Sequence, residues 1–167
     1  MLQTERLRLR RYTLEDAPFV LRLLNERSFI DNIGDRGVRS LDDARRYLET
    51  GPLASYAAHG FGLWLIELLM TGKSIGMCGL LKRDALPDAD LGYALLPEFA
   101  AQGFAFEAAD ATLSYGSKAF GLSRVLAIVS PHNARSIRLL ERLGFVFERP
   151  IRMSADADEI RLYARDA

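Results

Sequence analysis

The segment "RVLAIVS", residues 124–130, is an almost unbroken apolar run between two stretches with helical periodicity. A run of this kind fits a strand buried on both faces, which requires a sheet with a covering layer on each side. A helix is written on either side of it in the chain. Upstream, Phe104, Ala108, Ala111, Thr112, Tyr115 and Ala119 recur at helical intervals, and the pattern stops near Gly121. Downstream, "SPHNARSIRLLERLG" reads as a second helix, with Pro131 near its start and Gly144 past its end.

The remaining elements follow from the same rules. "ERLRLRRY" alternates leucine and arginine, the period-two pattern of a half-buried strand. Thr13, with Asp16 in the capping-box position, opens a helix carrying Ala17, Val20, Leu21 and Leu24. "FIDNIGDRGVRS" reads as a loop, and Ser40 with Asp43 caps a short helix that Gly51-Pro52 ends. "FGLWLIEL" and "SIGMCGLLK", joined by "MTGK", form an antiparallel hairpin. "ADLGYALL" is a fourth strand, and "GFVFERPI" and "EIRLYAR" are the last two. The order β-α-α-β-β-β-α-β-α-β-β describes one mixed α/β (α+β) domain over residues 1–167.

Charge narrows the partners. Lys+Arg and Asp+Glu are equal at 22 each, which gives no support for nucleic acid or an anionic membrane as a partner. One cysteine and two histidines supply no cluster for a metal, so none is expected. The start lacks the apolar core of a signal peptide, and "FGLWLIELLM" is too short to span a bilayer, so a cytoplasmic protein is the default.

Two segments could carry chemistry. In "EFAAQGFAFEA" a single glycine, Gly103, stands at a strand-to-helix junction. The opening turn of a helix has unpartnered N–H groups at its positive end, and glycine lets an anion approach them. Close packing of the helix on the sheet explains the same glycine. In "SPHNARSIRLLERLGF", Asn133, Ser136 and Leu140 share one helical face with Leu139 and Leu143. A serine among leucines needs a hydrogen-bond partner, and Asn133 could be the N-cap of this helix.

Together, "P-E-F-x-x-Q-G-F-A-x-E-A", a buried strand and "N-x-x-S-x-x-L-L-E-R-L-G-F" resemble the GNAT superfamily of acyl-CoA-dependent N-acetyltransferases. The opening "TERLRLRRYTLEDA", the strand containing Trp64, and "SIGMCGL" are similar to its ribosomal-protein N-terminal acetyltransferase (Rim-type) branch. The resemblance spans residues 4 to about 163. It implies a mostly antiparallel sheet of six to seven strands, splayed between strands 4 and 5 and flanked by about four helices. It implies acetyl transfer from acetyl-CoA, as cosubstrate, to a primary amine on a protein N-terminus or a small molecule. The amine would attack directly in a ternary complex.

Residue by residue, the resemblance implies the following. Ala101, Gln102, Gly103, Phe104, Ala105 and Phe106 would hold the CoA pyrophosphate through backbone amides. Leu95 and Leu96 match positions whose backbone pairs with the pantetheine arm. Asn133 matches the asparagine that hydrogen-bonds the pantetheine region, and Ser136 a serine placed to protonate the departing thiolate. The chain departs from the pattern at Ala100, usually glutamine, arginine or tryptophan, and at Ala101, commonly glycine. A methyl group at 101 would crowd the phosphates if the backbone there needs positive φ. Where many members carry a tyrosine acid, this chain has Leu140; either Ser136 has the role or no side chain does. Glu67, Asp90, Tyr93 and His59 are candidates for the general base, and none stands out. Trp64 and Tyr93 either line the acceptor pocket or pack in the core. A non-catalytic acyl-CoA-binding domain is the alternative function.

Overall fold

The computed structural model describes all 167 residues. One eight-stranded sheet runs through the molecule in the order β1-β2-β3-β4-β5-β6-β8-β7. Its strands are β1 (Leu2–Gln3), β2 (Leu7–Arg11), β3 (Leu63–Leu68), β4 (Ser74–Leu81), β5 (Asp90–Leu95), β6 (Arg124–Val129), β7 (Val146–Ile151) and β8 (Ile160–Asp166). The fourth and fifth strands read from the sequence are β5 and β6, because the short β1 precedes them. Every neighbouring pair is antiparallel except β5 and β6.

Six α-helices cover this sheet: α1 (Ala17–Leu24), α2 (Arg27–Asn32), α3 (Leu41–Leu48), α4 (Ala54–His59), α5 (Phe104–Phe120) and α6 (Ala134–Arg142). One face carries α5 and α6 over a core containing Leu7, Leu9, Ile66, Cys78, Ala108 and Leu140. The other carries α1, α2 and α3 over Leu65, Met77, Val20, Phe29 and Leu48. Val125, Leu126, Ala127 and Val129 of β6 are all buried, so the apolar run is covered on both faces: Val125, Ala127 and Val129 share the core under α5 and α6, and Leu126 packs with Leu86, Leu162 and Ala164.

Local signals start most helices as expected. The Thr13 N–H donates to the Asp16 carboxylate at 2.8 Å, and Ser40 Oγ accepts the Asp43 N–H at 3.0 Å. Two segments differ from the sequence reading. Part of "FIDNIGDRGVRS" is helical, as the C-terminal portion of α2. Gly51-Pro52 does not end a helix: the chain keeps winding through a π-type turn (Glu49–Leu53) into α4. A wider turn leaves room for a proline that has no N–H to donate. Pro131 lies ahead of α6, whose N-cap is Asn133.

Candidate active site

The parallel pair β5–β6 is where the sheet opens. Its only register pair is Asp90↔Leu126, with the Leu126 N–H donating to the Ala89 carbonyl at 2.9 Å. Beyond that bridge the strands part. On β5, the Leu96 N–H donates to the Ile75 carbonyl of the β4 side at 2.8 Å. Peptide groups alternate in direction along a strand, so those of Tyr93 and Leu95 point toward β6. Leu96 differs from its neighbour. Its N–H is bound to Ile75 and its carbonyl accepts from the Phe99 N–H at 3.0 Å, so only Leu95 of this pair keeps backbone groups free toward the gap.

At the end of β5 the chain turns into α5. Ala101 has φ +59° and Gly103 has φ +83°, both in the left-handed region. Ala101 is the only non-glycine residue of the molecule held there, at a cost of about 1–2 kcal/mol. The first α5 ladder bond runs from the Glu107 N–H to the Gly103 carbonyl at 3.0 Å, and no side chain caps the helix. The amides of residues 104–106 therefore lack intrahelical partners at the positive end of a 17-residue helix.

The turn is braced by a residue that the sequence analysis assigned only to the polar side of a strand. Arg6 donates from Nη1 to the Gln102 carbonyl at 3.0 Å and from Nε to Glu107 Oε2 at 2.7 Å. Its guanidinium lies 4.4 Å from the Phe104 ring centroid. Glu107 also accepts from Thr4 Oγ1 at 2.6 Å and from the Arg6 N–H at 2.9 Å. Burial pushes the Glu107 carboxyl up, but the bonds from Thr4 and Arg6 outweigh it and hold it below its usual range. A groove of about 440 Å³ runs beside the turn, lined by Thr4, Arg6, Gly103, Phe106 and Arg142 among others.

Helix α6 begins across the gap. Asn133 Oδ1 accepts the Ser136 N–H at 3.2 Å, so Asn133 is the N-cap, and its Nδ2 makes no bond within the protein. Ser136 Oγ lies 2.5 Å from the Tyr93 hydroxyl of β5. This is the partner that a serine among leucines requires. Burial pushes the Tyr93 phenol up to about 12, against a smaller downward pull from its Ser136 bond. From the opposite face, Ser130 Oγ donates to the Asn32 carbonyl at 3.2 Å, and the His132 ring meets the Asp31 carbonyl at 3.3 Å.

The other candidates for a base lie elsewhere. Glu67 is paired with Arg10 at 2.8 Å on the α1 side of the sheet. Asp90 is fully buried at the closed end of the β5–β6 opening, bound by Arg83 Nε at 3.0 Å, with burial raising its pKa. His59 stacks on Phe61, which meets Phe120 at the far end of α5. Trp64 is buried against Tyr115 and packs in the core. The lone thiol, Cys78, is buried with its pKa pushed up to about 12.

A splayed parallel pair with an uncapped helix start at its mouth matches a known architecture. Residues 6–146 match the family model of the acetyltransferase (GNAT) domain. The chain belongs to the GNAT acetyltransferase family. This GNAT protein is 33% identical over 156 residues to an uncharacterized N-acetyltransferase of Bacillus subtilis, YoaA, covering 91% of this chain and 86% of YoaA. It is also 33% identical over 161 residues to the uncharacterized N-acetyltransferase p20 of Bacillus licheniformis, covering 90% and 85% of the two chains. Among solved structures, an acetyltransferase from Agrobacterium tumefaciens superposes with a TM-score of 0.84 at 26% identity, over 99% of this chain and 94% of the other. The Rim-type enzyme RimL, an acetyltransferase of ribosomal L7/L12 solved with CoA, shares the fold with a TM-score of 0.84 at 18% identity, over 98% and 95%. The GNAT protein is an acyltransferase by family, with the mixed, mostly antiparallel sheet expected of it. No helix in it is long and apolar enough to cross a membrane.

Proposed function

We propose that this GNAT protein transfers an acetyl group from acetyl-CoA to a primary amine by direct attack in a ternary complex. The acceptor is a small-molecule amine or a protein N-terminus. The observation that carries this reading is the parting of β5 and β6 beyond Asp90↔Leu126. It leaves peptide groups facing a gap, with the α5 turn and Ser136 at the same end.

The roles follow from that placement. The pyrophosphate of CoA sits against the amides of Ala101, Gln102, Gly103, Phe104, Ala105 and Phe106, where an anion meets unpartnered N–H groups and the helix dipole. Arg6, paired with Glu107, holds the turn in place through the Gln102 carbonyl. The pantetheine arm enters the gap as a substitute strand, pairing with the free backbone of Leu95 and reaching Asn133 Nδ2. Leu96 contributes its buried side chain rather than its backbone. As the amine attacks, negative charge develops on the thioester oxygen, and a free amide of β5 is the donor for it. Ser136 donates to the departing sulfur; a hydroxyl with a very high pKa serves as a donor to thiolate, not as a base.

Thiol release from acetyl-CoA, measured with a panel of primary amines, tests the proposal. Amine-dependent release is the expected result. Calorimetric CoA binding with no turnover on any acceptor would make the chain a non-catalytic acyl-CoA binder. Absence of CoA binding would overturn both.

A further inference from the structure

Resting on the reading of Ser136 as donor to the leaving thiol, the arrangement of its single partner carries a further assignment. Tyr93 and Ser136 stand on opposite sides of the β5–β6 opening, 43 residues apart in the chain, and their hydroxyls meet at 2.5 Å. Ser136 Oγ makes no other hydrogen bond within the protein. In particular it makes no bond back to a carbonyl of its own helix, the usual resting place of a helical serine. The only other acceptor near the Tyr93 hydroxyl is the Ser136 carbonyl, at 3.4 Å.

Two hydroxyls in one bond can be arranged in two ways. If Ser136 donates, the only protein acceptor left for the half-buried phenol is the distant Ser136 carbonyl. If Tyr93 donates, the phenol is satisfied at 2.5 Å, and the serine hydrogen has no acceptor left in the protein. A phenol packed against the core is best satisfied by the nearer acceptor, at 2.5 Å rather than 3.4 Å, so the second arrangement prevails. It leaves one hydrogen on Ser136 free for a group entering the gap.

We propose that Tyr93 is the positioning residue for Ser136: by donating to Ser136 Oγ it fixes the serine rotamer and turns the serine proton toward the leaving sulfur. Tyr93 itself touches no reacting atom. A high phenol pKa keeps its proton in place throughout the neutral range, which agrees with a permanent donor. No proton leaves Tyr93 in this role. The stronger its donation, the more acidic the serine proton becomes, because hydrogen bonds in a chain polarise one another.

The test uses acetyl-CoA with hydroxylamine, a small nucleophile that needs no dedicated pocket, and follows thiol release. Ser136→Ala is expected to lower kcat about 100-fold. Tyr93→Phe, which keeps the ring, is expected to lower kcat about tenfold with an unchanged KM for acetyl-CoA. The double variant is expected to be no slower than Ser136→Ala alone. Fluorinated tyrosine at position 93, a stronger donor of similar size, is expected to raise kcat, a response that simple packing does not produce. A Tyr93→Phe enzyme as fast as the parent, with Ser136→Ala defective, would overturn the Tyr93 role alone. So would a double variant slowed by the full product of the two single effects. A Ser136→Ala enzyme as fast as the parent would overturn the Ser136 reading and this inference with it.

Discussion

Helices α5 and α6 both start where a strand of the parallel pair ends, yet they finish their first turns in opposite ways. The start of α6 is closed: Asn133 caps it through the Ser136 N–H. The start of α5 has no side-chain cap, and its entry turn holds Ala101 and Gly103 at positive φ. The capped helix fixes the place of a side chain, Ser136. The uncapped one leaves backbone amides on offer. On the proposed reading one wall of the opening serves hydroxyl chemistry and the other an anion, and the first turn of each helix decides which.

Four substitutions probe this contrast. The largest effect is expected from Ser136→Ala, with kcat down about 100-fold and CoA affinity nearly constant in calorimetry. Equal loss in both parameters would move Ser136 from the chemistry to the binding. Gly103→Val comes next. A Cβ there would stand 3.2 Å from Arg6 Nη2 on a backbone at φ +83°, so CoA affinity should fall at least tenfold in a variant checked for folding by circular dichroism. An unchanged dissociation constant would place the pyrophosphate elsewhere.

Glu107→Gln should act mainly on the frame of the α5 turn, costing about 1–2 kcal/mol in denaturant unfolding at neutral pH. The sign with pH follows from its lowered pKa in the folded state. Its stabilisation is complete above the ordinary glutamate pKa and fades as pH falls through the lowered folded value. The gap between parent and variant should therefore narrow in acid; a constant gap would separate Glu107 charge from its role. Ala101→Gly should have the smallest effect. Relief of a left-handed alanine, about 1–2 kcal/mol, is partly offset by the flexibility of glycine, about 0.5–1 kcal/mol. Stability should rise by about 0–1.5 kcal/mol, with CoA affinity up a few-fold if the methyl group crowds the phosphates.

The contrast between the two helix starts was partly visible in the chain. Gly103 at a strand–helix junction and Asn133 ahead of an amphipathic helix carry local signals, and both reappear as turn and cap. Alternation at Leu7 and Leu9 likewise fixed a buried strand face. What the chain conceals is contact across distance. Nothing local ties Tyr93 to Ser136, or Arg6 to the Gln102 carbonyl 96 residues away. The difference between Leu95 and Leu96 is likewise a matter of which edge a peptide group faces, invisible until β4 is in register. Helices α2 and α4 escaped for another reason. Each is six residues long, too short for a helical period to repeat, and Pro52 disguised the winding before α4.

The single bridge Asp90↔Leu126 also has a mechanical meaning. Five strands lie on one side of it and three on the other, and beyond it the two panels are held by the Tyr93–Ser136 hydroxyl pair and by apolar packing of residues such as Leu91, Ala127 and Leu140. Packing resists separation but, unlike a ladder of hydrogen bonds, hardly resists sliding. The seam is therefore the compliant line of an otherwise stiff sheet. An arm pairing with the bare edge of β5 would act as a splint across it. Amide exchange along β5 and β6 should then slow together when CoA is added.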